Sequence, residues 1–207
     1  MRYLKRKRME NAGKPRGFWG RKTMRDMNKS HSDLTDWGLS FLNFAEDDMI
    51  LDIGCGGGRT VHKLTGCTKG RIYGIDHAPT AVTKSLCVNK KAVDKGQVGI
   101  VEATVSALPF GADTFTKVTA IETVYFWPDL VNDLKEVRRV MKKDGQLLIT
   151  TEDRADSSKA KAYVEMQRQS GFFIPSAASL ARALKAAGFH HIEANIRGEW
   201  LSLTAEK

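Results

Sequence analysis

The stretch Met49-Ile50-Leu51-Asp52-Ile53-Gly54-Cys55-Gly56-Gly57-Gly58-Arg59-Thr60 decides the fold. Its apolar start, residues 49–53, is long enough for one buried strand, and four glycines follow within five residues. Glycine permits positive φ and lets backbone N–H groups come within contact distance of a ligand. The residues from Thr60 onward can begin a helix whose positive N-terminal end faces the same place. The stretch therefore predicts a cradle for a small molecule at the end of a strand.

The composition is typical of a globular protein with a single domain. The chain has 207 residues, of which 42% are hydrophobic and 28% charged. This length allows one large core and is too short for two ordinary domains. No apolar run approaches the roughly 20 residues of a membrane-spanning helix, and the basic start at 1–8 lacks the apolar segment of a secretory signal. We therefore expect a cytoplasmic protein without integral membrane contact.

The positive charge of the chain lies at one end. The formal net charge is +9, and residues 1–25 hold ten Lys or Arg against one acid, so the remainder is neutral. Residues 1–17 also contain Gly and Pro and few groups to bury, which predicts a disordered basic lead. A solvated arm is the commoner role of such a segment, and contact with nucleic acid or an anionic membrane is the alternative.

Helical and strand patterns alternate along the rest of the chain. Apolar residues from Phe18 onward predict a helical lid at 18–45, ahead of an α/β core at 46–207. The helix that Pro128 opens is predicted to carry Met141 on its apolar face and to stop at Asp144-Gly145. In the core we predict strands at 49–53, 71–76, 97–101, 115–121, 146–151, 191–196 and 200–204, and helices at 60–64, 79–94, 128–143, 155–170 and 179–187.

This alternation predicts an α/β fold with a doubly wound, Rossmann-like sheet. We expect seven strands, mostly parallel, with a C-terminal antiparallel hairpin and the N-terminal helical lid. Ligands of such sheets bind at the carboxyl ends of the strands, near the point where the strand order reverses. The glycine loop, Asp76, the Thr104 region, Glu122 and Glu152 should therefore lie along one rim.

The spacing of the glycines separates two classes of ligand. A dinucleotide site needs Gly-x-Gly-x-x-Gly, but counting from Gly54 the third position is Arg59. The Gly-x-x-x-x-Gly-Lys-Ser/Thr loop of nucleoside triphosphatases is absent as well. Neither a dehydrogenase nor a triphosphatase is favoured.

What remains, Asp52-x-Gly54-x-Gly56-x-Gly58, resembles motif I of the class I S-adenosylmethionine-dependent methyltransferases. The resemblance covers roughly residues 45–206 and recurs in 107–110 (Ala-Leu-Pro-Phe), 134–145 and 187–189. Together these segments look like the small-molecule branch that includes quinone C-methyltransferases. Residues 17–39 and 122–129 look like an uncharacterised bacterial or archaeal group within that branch.

The resemblance implies a role for each part of the site. The loop would accommodate the methionine part of the cofactor, Asp52 would stabilise the loop and the cofactor's amino group, and Asp76 would accept hydrogen bonds from both ribose hydroxyls. Thr104-Val105 stand where this branch usually has an Asp-Ala pair at the adenine amino group. The predicted cofactor site comprises Asp52, Gly54, Cys55, Gly56, Gly58, Asp76, His77, Thr104, Val105 and Glu122.

Two residues are candidate bases for the transfer. A hydroxyl or activated carbon acceptor must lose a proton to expose its lone pair, and Glu122, after the fourth strand, is the first candidate; its alternative role is that of a structural acid. His31 is the second candidate, with a surface histidine as the alternative. The aromatic residues 125–127 could wall the acceptor pocket, although we expect at least one of them in the core.

No metal site is predicted. The three cysteines, Cys55, Cys67 and Cys87, form no Cys-x-x-Cys pair and have no histidine at zinc-finger spacing, which indicates reduced thiols. The favoured function is thus methyl transfer from S-adenosylmethionine to a small molecule. The alternatives are a same-fold enzyme acting on nucleic acid or protein and a non-catalytic cofactor-binding domain. The methyl acceptor and the oligomeric state stay open.

Overall fold

The computed structural model describes residues 32–158, 160 and 173–207. The predicted basic lead at 1–17, the first part of the predicted lid and most of the helix predicted at 155–170 lie outside these residues. The described helices are α1 (Ser32–Leu39), α2 (Arg59–Leu64), α3 (Pro79–Val88), α4 (Lys90–Asp94), α5 (Leu130–Val140) and α6 (Ala177–Ala186). The strands are β1 (Ile50–Ile53), β2 (Ile72–Asp76), β3 (Val98–Glu102), β4 (Phe115–Ile121), β5 (Met141–Thr151), β6 (His190–Arg197) and β7 (Trp200–Glu206).

The strands form one sheet in the order β3-β2-β1-β4-β5-β7-β6. The pairs from β3 to β5 are parallel, whereas β7 runs antiparallel to β5 and β6 antiparallel to β7. The strand order reverses between β1 and β4, so the glycine loop leaves the sheet at its switch point. The predicted fold class is confirmed, and six of the seven strands lie within two residues of their predicted bounds.

Two apolar clusters cover opposite faces of the sheet. Successive strand residues alternate between them, since Leu51 and Leu147 belong to one cluster while Ile50 and Leu148 belong to the other. Helices α5 and α6 cover the first cluster, and α1 and α2 cover the second. Their buried contacts include Leu134, Val137, Leu180 and Leu184 on the first face, and Leu39, Val61 and Leu64 on the second.

The predicted end of the helix that Pro128 opens is wrong. Helix α5 ends at Val140, and Met141 is already extended and pairs with Phe115 in the sheet. Regular pairing with β4 resumes only at Gln146, so residues 142–145 bulge out of the ladder. Sheet pairing and complete burial of Met141 thus override the helical periodicity that placed it on the apolar face of the helix.

The helix predicted at 79–94 is also interrupted. Helix α3 ends at Val88 and α4 begins at Lys90, with Asn89 between them. The Asn89 amide donates to the carbonyl oxygens of Ser85 (3.0 Å) and Gly58 (2.9 Å). This buried side chain makes one local hydrogen bond, to Ser85 in α3, and one distant hydrogen bond, to Gly58, which ties the break to the glycine loop.

Helix α1, the described part of the predicted lid, packs on β5. A Cβ atom on Gly38 would collide with the Thr150 side chain, so the helix and the strand approach closely there. Trp37 lies edge-on to Phe41 with 5.2 Å between ring centroids, and 5.8 Å from Trp200. Among the described helices, none combines the length and the hydropathy of a membrane-spanning segment.

Candidate active site

The glycine loop after β1 turns on left-handed residues. Gly54 (φ 70°), Gly56 (φ 50°) and Gly58 (φ 80°) all have positive φ, a conformation that side-chain-bearing residues rarely adopt. The loop is closed against β2, because the Cys55 N–H donates to the Ile75 carbonyl at 2.9 Å. A Cβ atom on Gly54 would collide with Thr123, so the loop also lies directly against the segment that follows β4.

Asp76, at the end of β2, joins this loop to the start of α3. Its Oδ2 accepts from the Gly56 N–H at 3.0 Å, and its Oδ1 accepts from the Ala78 N–H at 2.9 Å. Burial raises the pKa of the carboxyl, and the two backbone hydrogen bonds and His77 oppose that rise. A carboxylate offers about four acceptor positions, so two backbone donors leave capacity for a vicinal diol. The predicted neighbour His77 is largely exposed, with its Nδ1 at 3.9 Å from Asp76 Oδ1.

Asp52 is buried beneath the loop within β1. Its Oδ1 accepts from the Thr119 hydroxyl at 2.7 Å, whereas its Oδ2 has no hydrogen-bond partner among the described residues. Burial raises the pKa of this carboxyl to about 7, the Thr119 hydrogen bond opposes the rise, and the charge of Asp76 adds to it. A buried acceptor without a donor is costly. An amino group arriving at the loop would supply the missing donor.

The thiol of Cys55 is buried and neutral. It is buried, and its Sγ lies 3.8 Å from the Ser85 hydroxyl. Burial, together with the charges of Asp52 and Asp76, holds the pKa of the thiol well above its ordinary value. The Cys55 thiol is therefore unsuited to act as a nucleophile, and all three cysteines are free, as predicted.

Glu122 stands just beyond β4 with a left-handed backbone. Its φ is 59°, which is strained for a residue other than glycine and often marks a functional position. Its Oε1 accepts from the Tyr125 hydroxyl at 2.9 Å and from the Glu152 N–H. The Asp153 N–H donates to the same Tyr125 hydroxyl at 3.1 Å. Glu122 thus links the ends of β4 and β5, while Thr123 makes the contact with the glycine loop.

The aromatic segment after Glu122 divides between the core and the rim. Trp127 belongs to the larger apolar cluster, which confirms the expected core position of one of these residues. Tyr125 and Phe126 are half-buried. Burial and the nearby Glu122 charge raise the pKa of the Tyr125 phenol well above its ordinary value, so Tyr125 stays neutral.

The predicted adenine end follows β3. Thr104 is exposed, Val105 is buried, and the Thr104 carbonyl accepts from the Ala107 N–H at 3.3 Å. The turn after it is held by α5, where Glu136 Oε1 accepts from the Leu108 N–H at 2.9 Å. Arg139 donates to the carbonyl oxygens of residues 108 and 110 and to Glu136. That ion pair lowers the pKa of the Glu136 carboxyl.

The structure therefore brings most of the predicted residues to one rim. Asp52, the glycine loop and Asp76 form a connected cluster at the ends of β1 and β2, with Glu122 at the end of β4 and Thr104 after β3. His31, the second candidate base, lies outside the described residues. Four supporting residues were missed: Thr119, Thr123, Ser85 and Asn89. Thr119 is paired with Asp52 in the β1–β4 register, a pairing between residues far apart in sequence that no local pattern reveals.

Comparison with known proteins identifies the family to which the chain is related. A family model described as a methyltransferase domain matches residues 51–149. The putative methyltransferase YrhH of Bacillus subtilis (strain 168) is 30% identical over 135 residues, which cover 65% of this chain and 73% of that protein. Two further relatives, at 28% and 31% identity, are longer, and the matched regions span 48% and 27% of their lengths.

Solved structures share the fold at low identity. One is the complex between the Haloferax volcanii Trm112 methyltransferase activator and the putative methyltransferase, with a TM-score of 0.75, 19% identity, and coverage of 88% of this chain and 92% of that one. Another is the geranyl diphosphate C-methyltransferase of Streptomyces coelicolor A3(2), with a TM-score of 0.72, 15% identity, and coverage of 95% and 87%. At these identities the likeness is one of fold.

Proposed function

We propose that this chain, which belongs to the S-adenosylmethionine-dependent methyltransferases, transfers a methyl group from that cofactor to a small-molecule acceptor. The observation that carries the proposal is the cluster of Asp52, the glycine loop and Asp76. It offers a buried carboxylate oxygen that lacks a donor, a bare backbone, and a second carboxylate with spare acceptor capacity. In S-adenosylmethionine, the buried carboxylate oxygen matches the amino group, the bare backbone matches the flexible methionine chain, and the second carboxylate matches the ribose diol.

The cofactor would be held by these residues in distinct ways. Asp52 Oδ2 would accept from the amino group of the methionine part, directly or through water, and the loop from Gly54 to Gly58 would line that part. Asp76 would accept from the ribose hydroxyls, since hydrogen bonds to a charged acceptor are the stronger kind. The Thr104 hydroxyl and the Val105 N–H would meet the adenine, as a weaker contact than the carboxylate usual in this branch.

Positioning supplies most of the catalysis. S-adenosylmethionine supplies a methyl group on a positively charged sulfur, and the charge disappears during an in-line displacement, so no large new charge needs stabilising. The residues of the rim would fix the acceptor's approach and exclude water. We expect helix α1 and the half-buried aromatic residues Tyr125 and Phe126 to cover the bound acceptor.

A small acceptor is favoured over nucleic acid or protein by two observations. The excess positive charge is confined to residues 1–25, because residues 26–207 hold 23 basic and 23 acidic residues and so have no net positive charge with which to attract a nucleic acid backbone. The structural neighbour from Streptomyces coelicolor is named for a small substrate, geranyl diphosphate.

Mass spectrometry of metabolite mixtures incubated with the chain and S-adenosylmethionine should detect a product heavier by CH2. Methylation only of an added RNA or protein would favour the alternative acceptors, and no product from any pool would favour a non-catalytic domain.

Asp76→Ala is expected to weaken binding of S-adenosylhomocysteine at least about tenfold, or about 1.5 kcal/mol. The change removes the proposed acceptor of both ribose hydroxyls and releases the Gly56 N–H. Isothermal titration calorimetry measures the effect. The matched control is Asp94→Ala, an exposed acid on α4 that pairs with Lys90, and it should leave the affinity unchanged.

The two possible failures of that experiment differ in meaning. An intact chain that binds no S-adenosylhomocysteine would remove the proposed function. Equal affinities for the intact chain and for Asp76→Ala would remove only the assigned role of Asp76.

Glu122→Gln is expected to lower turnover about 100-fold or more once an acceptor is known, because the proposed general base is replaced by a neutral amide. The affinity for S-adenosylhomocysteine should stay within about twofold. Tyr125→Phe, which removes one donor to the Glu122 carboxylate, should lower turnover less. Glu102→Gln, an exposed acid at the end of β3, serves as the control.

A loss of cofactor affinity equal to the loss of turnover in Glu122→Gln would instead assign Glu122 to cofactor binding or to a structural role, and not to proton transfer. His31 stays the second candidate base, and His31→Ala in the same assay tests it.

A further inference from the structure

Two consecutive histidines at the start of β6 lie on the same side of the chain. Successive strand residues normally point to opposite faces, but His191 has a positive φ of 46° and the ladder carries an extra residue between His190 and Glu193. The two imidazole rings meet edge to face with 4.7 Å between centroids. A left-handed histidine is strained, and this strain is what brings the second ring beside the first.

Glu206 on β7 completes a three-residue cluster. It pairs with His190 in the β6–β7 register, and its Oε2 lies 2.8 Å from His191 Nδ1. The three residues can each turn one donor atom toward a common point, since these atoms lie within 4.8 Å of one another. Both histidines are exposed and open to an ion from solvent.

We propose that His190, His191 and Glu206 bind a divalent transition-metal cation such as Zn²⁺ or Ni²⁺, with water in the remaining positions. Two imidazole nitrogens and one carboxylate oxygen suit these ions, whereas Mg²⁺ and Ca²⁺ require oxygen ligands. Bonds of about 2.0–2.2 Å to the metal place tetrahedral ligand atoms about 3.3 Å apart, so small side-chain rotations close the site. An ion pair accounts for His191 and Glu206 but not for the bulge that adds His190.

The metal site lies away from the methyl-transfer site. Glu206 pairs with Gln146, whereas Leu201 pairs with Thr151 at the other end of the same β5–β7 ladder. Thr151 is the last residue of β5 and lies at the rim that carries the glycine loop. Glu206 therefore lies at the opposite ends of the strands. A bound ion would join β6 to β7 at those ends. Its effect would be on the stability of the β6–β7 hairpin and not on methyl transfer.

Titration of the full chain with Ni²⁺ in a calorimeter should show one saturable site. Binding should weaken at least about tenfold in His190→Gln, His191→Asn and Glu206→Gln. His191→Asn is chosen because asparagine tolerates positive φ, which keeps the strand folded. The control is His62→Gln, an exposed histidine on α2, which should bind as the intact chain does. Added Ni²⁺ should raise the melting temperature of the intact chain and not that of His191→Asn.

A Co²⁺ titration identifies the ligands. Ligation by histidine and carboxylate gives no thiolate charge-transfer band, whereas binding through Cys67 or Cys87 would give one. The proposal is overturned by the absence of saturable Ni²⁺ binding, by a thiolate band that saturates with the bound ion, or by binding that survives the double change His190→Gln/His191→Asn. None of these outcomes depends on methyl transfer.

Discussion

Gly58→Ala is expected to lower the free energy of unfolding by about 3 kcal/mol, from a left-handed alanine at about 1–2 kcal/mol and overpacking at about 1–3 kcal/mol. Gly58 has φ 80° and precedes α2. A Cβ atom there would lie 2.7 Å from Ser85 Cα and 2.6 Å from Asn89 Nδ2. Because one of these atoms belongs to the backbone, α3 itself would have to move.

The control for this variant is Gly96→Ala. Gly96 has nearly the same backbone conformation, φ 73°, but an added Cβ would meet nothing within 4 Å among the described residues. This variant should therefore lower the free energy of unfolding only by the conformational part, about 1–2 kcal/mol. Urea denaturation of both variants measures the difference, and for a chain of this size each kcal/mol corresponds to about 2–4 °C in melting temperature. Equal losses would show that α3 does not constrain the loop.

Asp52→Asn is expected to stabilise the free protein relative to the wild type as the pH rises from about 4 to about 7. The pKa of the buried Asp52 carboxyl is raised from 3.8 to about 7. Between these values the unfolded chain has lost the proton that the folded chain keeps, so folding of the wild type weakens as pH rises. Below pH 4 both states are protonated, and above 7 both are ionised. The accumulated difference is at most about 4 kcal/mol, since one pKa unit is about 1.4 kcal/mol.

Denaturation of the wild type and Asp52→Asn at several pH values tests this expectation. A suitable control is Asp48→Asn, because Asp48 is also buried but both its oxygens accept hydrogen bonds, from Ala45 N–H at 2.7 Å and the Thr116 hydroxyl at 2.6 Å. That change should destabilise the free protein, because it disrupts these hydrogen bonds. A stability difference between wild type and Asp52→Asn that is independent of pH would show that Asp52 ionises normally. Asp52→Asn should also bind S-adenosylhomocysteine more weakly. The Asp52 carboxylate would then lower the stability of the free protein while it serves cofactor binding.

Local patterns predicted the framework of the site correctly. The apolar run and the glycines at 49–58 predicted a strand and a loop that permits positive φ, and the bounds of β4 were predicted without error. The placement of Asp76 beside the loop followed from parallel strands ending at a common edge. Each of these inferences needs only residues close in sequence or the general rules of parallel sheets.

The features that sequence patterns missed depend on contacts between distant residues. Thr119 reaches Asp52 through strand pairing, and Thr123 fixes the space beside Gly54. At the break between α3 and α4, the Asn89 side chain donates to the Gly58 carbonyl. His190 and His191 fall on one side only through a bulge set by pairing with β7. No periodicity within a segment carries such information.

The direct join of α5 to β5 has a consequence for how the length of this chain can change. One residue added before Met141 would turn the helix by about 100° relative to the strand or flip the strand's faces. Lys142, Lys143 and Asp144 are exposed in the bulge, outside regular pairing. Insertions and deletions between homologous chains, or an engineered peptide tag, should therefore be accommodated at 142–144 and rejected at 140–141.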